Sequence, residues 1–200
     1  MSKIFVDQVD PKTATTLTLG TTGDTDNVPT GVSLTITDQL AIAQGGTGAT
    51  TLAGAGLSNT PAFSVRLNAS QALSNSTNTK VAYDVEQVDT DSAFASNKFT
   101  VPAGEAGTYY FIHAPTIQST GAGATLCRSY VYVNGAQVTE SDLRIVTGTG
   151  HYENTPVTTY MATLSESDYV EGYVRIEGGS ATETIEPTYR SWFVGYKIIT

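Results

Sequence analysis

Five pairs of acidic residues stand close enough along the sequence to raise the question of acid–base or metal chemistry. Two carboxylates can hydrolyse a glycosidic bond when they flank it across a cleft, and carboxylate oxygens are the ligands that calcium prefers. Acids at neighbouring positions in strands and turns more often mark a solvated face, and none of these pairs has the spacing of a complete calcium loop. We therefore predict no enzymatic activity and no catalytic residue, and calcium is the one cofactor that the sequence leaves open. The pairs are Asp24 with Asp26, Asp84 with Glu86, Asp89 with Asp91, Glu166 with Asp168, and Glu183 with Glu186.

The other residues that could carry chemistry do not form a site in the sequence. His113 and His151 are far apart and the chain has one cysteine, so no zinc site is expected. The run from Gly45 to Gly48 lacks the Lys-Ser/Thr ending of a phosphate-binding loop. Cys127 lies in a strand-like stretch and is predicted to be a small buried hydrophobe.

Composition excludes two classes of partner. The chain of 200 residues has a net charge of -9, and an acidic surface repels phosphate backbones, so we predict no nucleic-acid binding. No apolar run reaches the roughly 18 residues of a membrane-spanning helix, so no membrane insertion is predicted.

The first residues, Met1 to Asp7, do not have the pattern of a secretory signal. We expect the protein to be made in a cytoplasm and to reach any outside position as part of a larger particle.

The chain divides into three stretches that differ in composition and in the pattern of apolar residues. Residues 1–22 alternate apolar and polar residues around Asp10-Pro11, which predicts two short strands that need a partner to pack on. Residues 23–60 are rich in Gly, Thr and Ala, which is typical of a shaft or linker. Residues 61–200 contain many short apolar stretches separated by turn residues, which predicts an all-β sandwich or jelly roll.

Eight strands are predicted in this last stretch. Asn134-Gly135, between Tyr132-Val133 and Gln137-Val138, is a strong hairpin signal, because a type I′ turn needs positive φ at both central residues. The predicted strands are Phe63 to Leu67, Lys80 to Gln87, Lys98 to Val101, Thr108 to Pro115, Leu126 to Val133, Thr158 to Leu164, Tyr169 to Ile176, and Tyr189 to Ile199.

Several motifs in residues 61–200 resemble the globular head shared by the first complement component and the tumour-necrosis-factor superfamily. Lys98 to Pro102 followed by Gly107 to Phe111 is similar to the family's "kFt.P…G.YyF" signature, and Val133-Asn134-Gly135 matches its Asn-Gly hairpin. Leu164 to Val170 resembles "L..GD.V", with Ser167 in place of the usual Gly, and Trp192 to Tyr196 resembles the closing "tFsGf". The resemblance implies a homotrimeric jelly-roll head without enzymatic activity.

The resemblance also assigns roles to the aromatic residues of these motifs. In this family one aromatic face fills the sandwich and the other lies along the three-fold axis, so core and trimer contacts are both expected among them. The alternative is that all of them belong to the core of one subunit. The residues are Phe63, Tyr109, Tyr110, Phe111, Phe193 and Tyr196.

The N-terminal part resembles bacteriophage fibres. Ala43 to Thr51 followed by Gly54-Ala55 is similar to the "GGTGATT..GA" element of tail-fibre proteins, and the opening from Phe5 to Gly20 resembles fibre leaders. This resemblance implies a virion location and attachment to other virion proteins through the N-terminus. The residues expected in that attachment are Ile4, Phe5, Val6, Val9, Leu17 and Leu19.

Together these observations predict a structural virion protein whose head attaches to a glycan or protein on the host surface. The alternative is a capsid-decorating knob, a cement protein or a baseplate part without receptor binding, and the shortness of the shaft favours it. Receptor contacts are expected in three polar stretches interpreted as loops, 118–124, 139–154 and 178–187. The candidate residues are Gln118, Thr120, Thr139, His151, Tyr152, Glu183 and Glu186.

Overall fold

The structure, a computed structural model, describes residues 58–122, 124–144, 149–178 and 183–198. Within these ranges the chain forms strands and one 3-10 helix, Thr90–Ser92. The strands are β1 (Ala62–Arg66), β2 (Gln71–Ala72), β3 (Thr79–Lys80), β4 (Val85–Asp89), β5 (Phe94–Ala95), β6 (Lys98–Thr100), β7 (Gly107–Ala114), β8 (Ile117–Ala122), β9 (Leu126–Val133), β10 (Ala136–Arg144), β11 (Thr149–Asn154), β12 (Thr158–Leu164), β13 (Tyr169–Glu177), β14 (Thr184–Ile185) and β15 (Trp192–Lys197).

The strands pair into two main sheets and a smaller one. The five-stranded sheet has the order β12-β7-β15-β1-β4. The six-stranded sheet has the order β10-β9-β13-β6-β5, with β3 also paired to β13. A four-stranded sheet follows the order β11-β8-β14-β2. All pairings between these strands are antiparallel, and the predicted all-β jelly-roll class is confirmed.

Alternation of side chains along the strands explains why the two main sheets pack together. In β1 the residues Phe63 and Val65 are buried and their neighbours are less so, and β15 shows the same period with Phe193. Since successive residues of a strand point to opposite faces, one face of each sheet supplies the core. Burying this apolar face against a second sheet is the main source of stability for such a fold.

The predicted hairpin at Asn134-Gly135 is confirmed. Ala136 pairs with Val133, so β9 and β10 are joined by a two-residue loop. Asn134 has φ 50° and Gly135 has φ 78°, which are the positive values that a type I′ turn requires.

Six of the eight predicted strands agree with the structure to within one residue at each end, and two need correction. The predicted strand from Lys80 to Gln87 is wrong, because the chain crosses between the main sheets there. Val81 N donates to Gly172 O in the six-stranded sheet (2.9 Å), and Asp84 N donates to Arg66 O in the five-stranded sheet (3.1 Å). The last strand is shorter than predicted, because 188–190 form a turn before Trp192.

Three further strands of six or more residues were missed because their residues are polar. β10 lies at the edge of the six-stranded sheet, and Val138, Glu140 and Asp142 along it are exposed. β8 and β11 pair with each other in the four-stranded sheet. A strand of an antiparallel sheet with one face open to solvent can carry polar side chains on that face, so polarity alone did not distinguish these strands from loops.

Candidate functional site

The aromatic residues singled out from the sequence separate onto two faces of the five-stranded sheet. Phe63, Tyr109, Phe111 and Phe193 are at most 1% exposed and lie in the core. Phe63 is 5.0 Å from both Phe99 and Phe193, measured between ring centroids. The alternative that all six belong to the subunit core is not borne out by this geometry, because Tyr110 and Tyr196 point to the opposite face of the sheet.

Tyr110 and Tyr196 begin an apolar outer face on this sheet. Their rings are 6.0 Å apart in an edge-to-face arrangement, and the two residues pair across β7 and β15. On the other side of Tyr110 its partner is Met161, which is 61% exposed. We name the set the apolar face, and its members are Val88, Tyr110, Ile112, Met161, Val194 and Tyr196.

A second row of the apolar face runs parallel to the first. Ile112 pairs with Val194, and Val194 pairs with Ser64. Ser64 in turn pairs with Val88, which is 47% exposed. The apolar side chains of these two adjacent rows lie on four of the five strands, with Ser64 of β1 between Val194 and Val88, and large apolar patches usually mark an interaction surface.

Directly behind the apolar face, His113 is buried in the core. His113 Nδ1 lies 2.8 Å from Ser129 Oγ, and Thr158 Oγ1 donates to Ser129 O at 2.9 Å. Burial lowers the pKa of His113 to about 3, because a charged imidazolium would be desolvated there. The ring is therefore neutral at pH 7 and is part of the packing.

Five of the seven residues expected in receptor loops lie in strands. Gln118 and Thr120 are in β8, Thr139 is in β10, and His151 and Tyr152 are in β11. The loop interpretation of these residues is therefore wrong, for the reason given above for polar strands. The structure pairs His151 with Thr120 across β11 and β8, whereas Thr139 belongs to a different sheet.

The two acids of the third predicted loop also differ from expectation. Glu183 is 1% exposed, and its Oε1 accepts a hydrogen bond from Ser119 Oγ at 3.1 Å, so it is not a surface contact residue. Glu186 is half-buried after β14, and its Oε1 accepts from Thr184 Oγ1 at 3.1 Å.

The carboxylates considered for acid–base or metal chemistry accept hydrogen bonds that stabilise turns. Asp89 Oδ1 accepts from Ala93 N at 2.9 Å. Asp168 accepts from Asn134 Nδ2 and from Ser165 N, and Glu166 Oε1 accepts from Gly104 N at 2.9 Å. Asp84 Oδ1 accepts from Asn68 N at 2.7 Å, whereas Asp24 and Asp26 lie outside the described residues.

Sequence reasoning missed a second surface, on the outer face of the six-stranded sheet. Tyr130 and Tyr132 of β9 and Tyr173 of β13 form a cluster there, with Tyr132 and Tyr173 4.3 Å apart. The alternation Arg128, Tyr130, Tyr132 within one strand was the signal that could have found it, since these positions share a face opposite Cys127, Ser129 and Val131.

Among the described residues no group of three or more His, Cys, Asp and Glu side chains is placed to hold a metal ion. In that same part of the chain, no helix is long and apolar enough to cross a membrane. The predicted attachment residues and the GGTGATT element lie in 1–57, outside the described residues.

Comparison with known proteins identifies the fold. No protein-family model and no curated protein matches the sequence. The globular domain of zebrafish complement 1qA protein is 18% identical, has a TM-score of 0.47, and the match covers 69% of this chain and 97% of that one. Murine APRIL is 10% identical with a TM-score of 0.51, covering 68% of this chain and 98% of that one in crystal structures at pH 8.0 and pH 5.0. The described residues therefore form a jelly-roll β-sandwich of the tumour-necrosis-factor-like class.

Proposed function

We propose that this chain is a homotrimeric, non-enzymatic protein of a bacteriophage virion, and that its jelly-roll head attaches the particle to the host surface. The N-terminal segment would join the head to other virion proteins. The fold is of a binding-domain type, which supports a role in binding over one in catalysis. The virion location is supported by the fibre-like sequence elements in residues 1–57.

The observation that carries the proposal is the apolar face of the five-stranded sheet. Met161 and Val88 are large apolar residues exposed on it, beside two tyrosines in contact with each other. Buried apolar surface contributes about 25 cal/mol per Å², and a buried aromatic side chain removes about 150–250 Å² from water. A closed arrangement of copies around a rotation axis covers this face on every subunit at once.

The proposed occupant of the apolar face is the same face of two further copies. Stable interfaces bury about 800 Å² per partner, and obligate ones are more apolar than others. Two rows of side chains across five strands suit an interface of that kind. Three identical heads on one particle also multiply weak contacts with a surface through avidity.

The first experiment measures the mass of the purified chain by light scattering at micromolar and nanomolar concentrations. We expect a persistent species of three times the 21.0 kDa chain mass. Tyr110→Glu and Met161→Glu should reduce this mass, because each places a charge on the apolar face. Tyr189→Glu is the matched control, since Tyr189 is 73% exposed and lies outside that face. A wild-type monomer at both concentrations contradicts the proposal.

The second experiment tests attachment. Labelled trimer is incubated with a panel of bacterial strains, and binding should compete with adsorption of the particle that carries the protein. If the trimer binds no strain and cryo-microscopy finds it on the capsid shell, the decorating or cement role is favoured instead. The shortness of the shaft is the sequence feature that supports that role.

A further inference from the structure

We propose that the outer face of the six-stranded sheet binds an acidic oligosaccharide. A sugar ring would pack against the Tyr132–Tyr173 pair, and its carboxylate would contact the arginine and lysine side chains around them. This inference rests on the proposed attachment function and names the surface and the class of ligand that serve it.

The tyrosines form the apolar part of this surface. Val131 and Val174 of the same strands are fully buried, so Tyr132 and Tyr173 point to the outer face. Their ring centroids are 4.3 Å apart with an interplanar angle of 32°, and both side chains are partly exposed. Tyr130 packs beside Tyr132 at 6.2 Å and is 3% exposed, so it supports the pair. The C–H face of a pyranose ring carries partial positive charge and suits the electron-rich face of an aromatic ring.

Contacts around the tyrosines hold them in place before any ligand arrives. Tyr132 OH accepts a hydrogen bond from Asn78 Nδ2 at 2.7 Å. Tyr169, which is also on the outer face of β13, lies under the ammonium group of Lys98, which is 4.4 Å from its ring centroid. A surface that is ordered in advance loses less conformational entropy on binding.

Charge distribution distinguishes this face from the rest of the chain. The outer face of its strands carries four acidic side chains, Glu140, Asp142, Glu171 and Glu177, and five basic ones. The sheet therefore has a net charge of about +1 in a chain whose net charge is -9. The basic residues, half of the ten lysines and arginines in the sequence, are Lys80, Lys98, Arg128, Arg144 and Arg175.

Ion pairs fix three of these cations beside the tyrosines, and one of them is Lys80, which stands opposite Tyr173 and donates from Nζ to Glu171 Oε1 at 2.6 Å. Arg128 donates from Nε to Asp142 (2.7 Å) and from Nη1 to Glu177 (2.9 Å), and Arg175 Nε donates to the same Glu177 oxygen at 3.1 Å. Across the β13–β9 pairing, Arg175 stands opposite Arg128 and Tyr173 stands opposite Tyr130. Guanidinium groups in such positions match the planar geometry of a carboxylate.

The same charges select between anionic ligands. A long polyanion such as DNA would meet the repulsion of the acidic chain as a whole. An acidic sugar carries single carboxylates spaced by neutral rings, so it can place one charge on the local basic face. The combination of stacked rings and local cations therefore fits an acidic oligosaccharide better than a nucleic acid.

The test measures binding of the full-length trimer to three immobilised probes: a tetramer of galacturonic acid, sialyllactose, and neutral maltotetraose. We expect an acidic probe to bind and its affinity to fall as salt is raised. Tyr173→Ala and Arg175→Ala should each weaken that binding at least tenfold. Tyr173→Phe, which keeps the ring, and Tyr189→Ala, which is distant from this face, should bind as the wild type does.

Several outcomes would overturn the inference: no binding to either acidic probe, binding to maltotetraose alone, or equal binding by wild type, Tyr173→Ala and Arg175→Ala. Light scattering and thermal unfolding check that each variant folds and assembles. If Tyr173→Ala does not fold, the result for Arg175→Ala decides the test. The same variants are then applied to bacterial cells. If the wild-type trimer binds cells and the variants bind equally well, the proposed role of this surface in binding is refuted, while the attachment function stands. If the wild type binds no cells, the attachment function itself fails.

Discussion

The backbone of Gly172 lies directly against the imidazole ring of His113. A Cβ atom on residue 172 would lie 2.5 Å from His113 Nε2 and 2.6 Å from Cδ2, which is closer than any ordinary contact. Both residues are buried, and the hydrogen bond between His113 Nδ1 and Ser129 Oγ at 2.8 Å holds the ring in position. The histidine thus occupies the space that a side chain on β13 would otherwise fill.

We expect Gly172→Ala to lower the free energy of unfolding by about 1–3 kcal/mol, because extra volume in a close-packed core forces neighbouring side chains out of their rotamers. Urea unfolding at a fixed protein concentration measures the change. In the background of His113→Ala the same substitution should cost less, since the ring that it meets is gone. An equal cost in both backgrounds would contradict the proposed contact.

The buried histidine should also make the folded state sensitive to acid. Burial lowers the pKa of His113 from 6.5 to about 3. Below pH 6.5 the unfolded chain binds a proton at this residue that the folded chain does not bind, so the free energy of unfolding decreases as the pH falls. The loss is about 1.4 kcal/mol per pH unit and ends near the folded pKa. Tyr83, whose ring lies 5.8 Å from that of His113, stays neutral throughout because burial raises its pKa.

The measurement compares wild type with His113→Gln by urea unfolding between pH 7 and pH 4. Acidic side chains contribute equally to both proteins, so the difference between the two isolates the histidine. The stability advantage of the wild type should shrink steadily as the pH decreases. A difference that stays constant over this range would show that His113 titrates normally in the folded state.

Much of the fold could be predicted from the sequence because the core strands carry alternating large apolar residues. Phe63 with Val65, and Tyr109 with Phe111, set the period of two that identifies β1 and β7. The strands that escaped prediction, such as β10, have a polar composition, and which strands pair is decided by long-range contacts. The break between Lys80 and Val85 could not be predicted either, because the crossing from one sheet to the other is fixed by partners more than 15 residues away.

The candidate surfaces were harder to predict than the fold. Sequence alternation places Tyr110 opposite to Tyr109 and Phe111, and that separation is confirmed. The outer face of the six-stranded sheet depends on which strand pairs with β9. Tyr132 and Tyr173 are 41 positions apart in the sequence and come into contact only because β13 is the neighbour of β9.

The turn at Asn134 should depend on both its backbone and its side chain. Asn134 has φ 50°, its Nδ2 donates to Asp168 Oδ1 at 2.7 Å, and its Oδ1 accepts from Tyr169 N at 2.9 Å. We expect Asn134→Ala to be less stable than Asn134→Gly by about 1 kcal/mol, because a Cβ is unfavourable at positive φ. Urea unfolding of the two variants measures this difference, and equal stabilities would contradict the conformational explanation.

The same turn holds the pKa of Asp168 below its ordinary value. The Asn134 amide is the largest cause, followed by the backbone N–H of Ser165. This carboxylate therefore favours the folded state above its unfolded pKa, and that contribution is lost as the pH falls through the folded pKa. In Asn134→Gly, which keeps the turn but loses the amide, the pKa of Asp168 should move up. NMR titration of the carboxyl carbon measures it, and an unchanged value would assign the shift to the backbone alone.

Cys127 should be unreactive in the folded protein. Its side chain is 1% exposed, and burial, with a smaller effect from the charge of Glu183, raises its pKa to about 12. Since the thiolate is the reactive form, the folded chain at pH 8 should react with a disulfide reagent at least about a hundredfold more slowly than the unfolded chain. Because Cys127 is the one cysteine of the sequence, the absorbance of the released thiol reports on this residue alone, and labelling in concentrated guanidinium gives the reference rate. A native rate within tenfold of that reference would mean that strands β9 and β13 separate readily, and the core around Cys127 would then be far less stable than its packing implies.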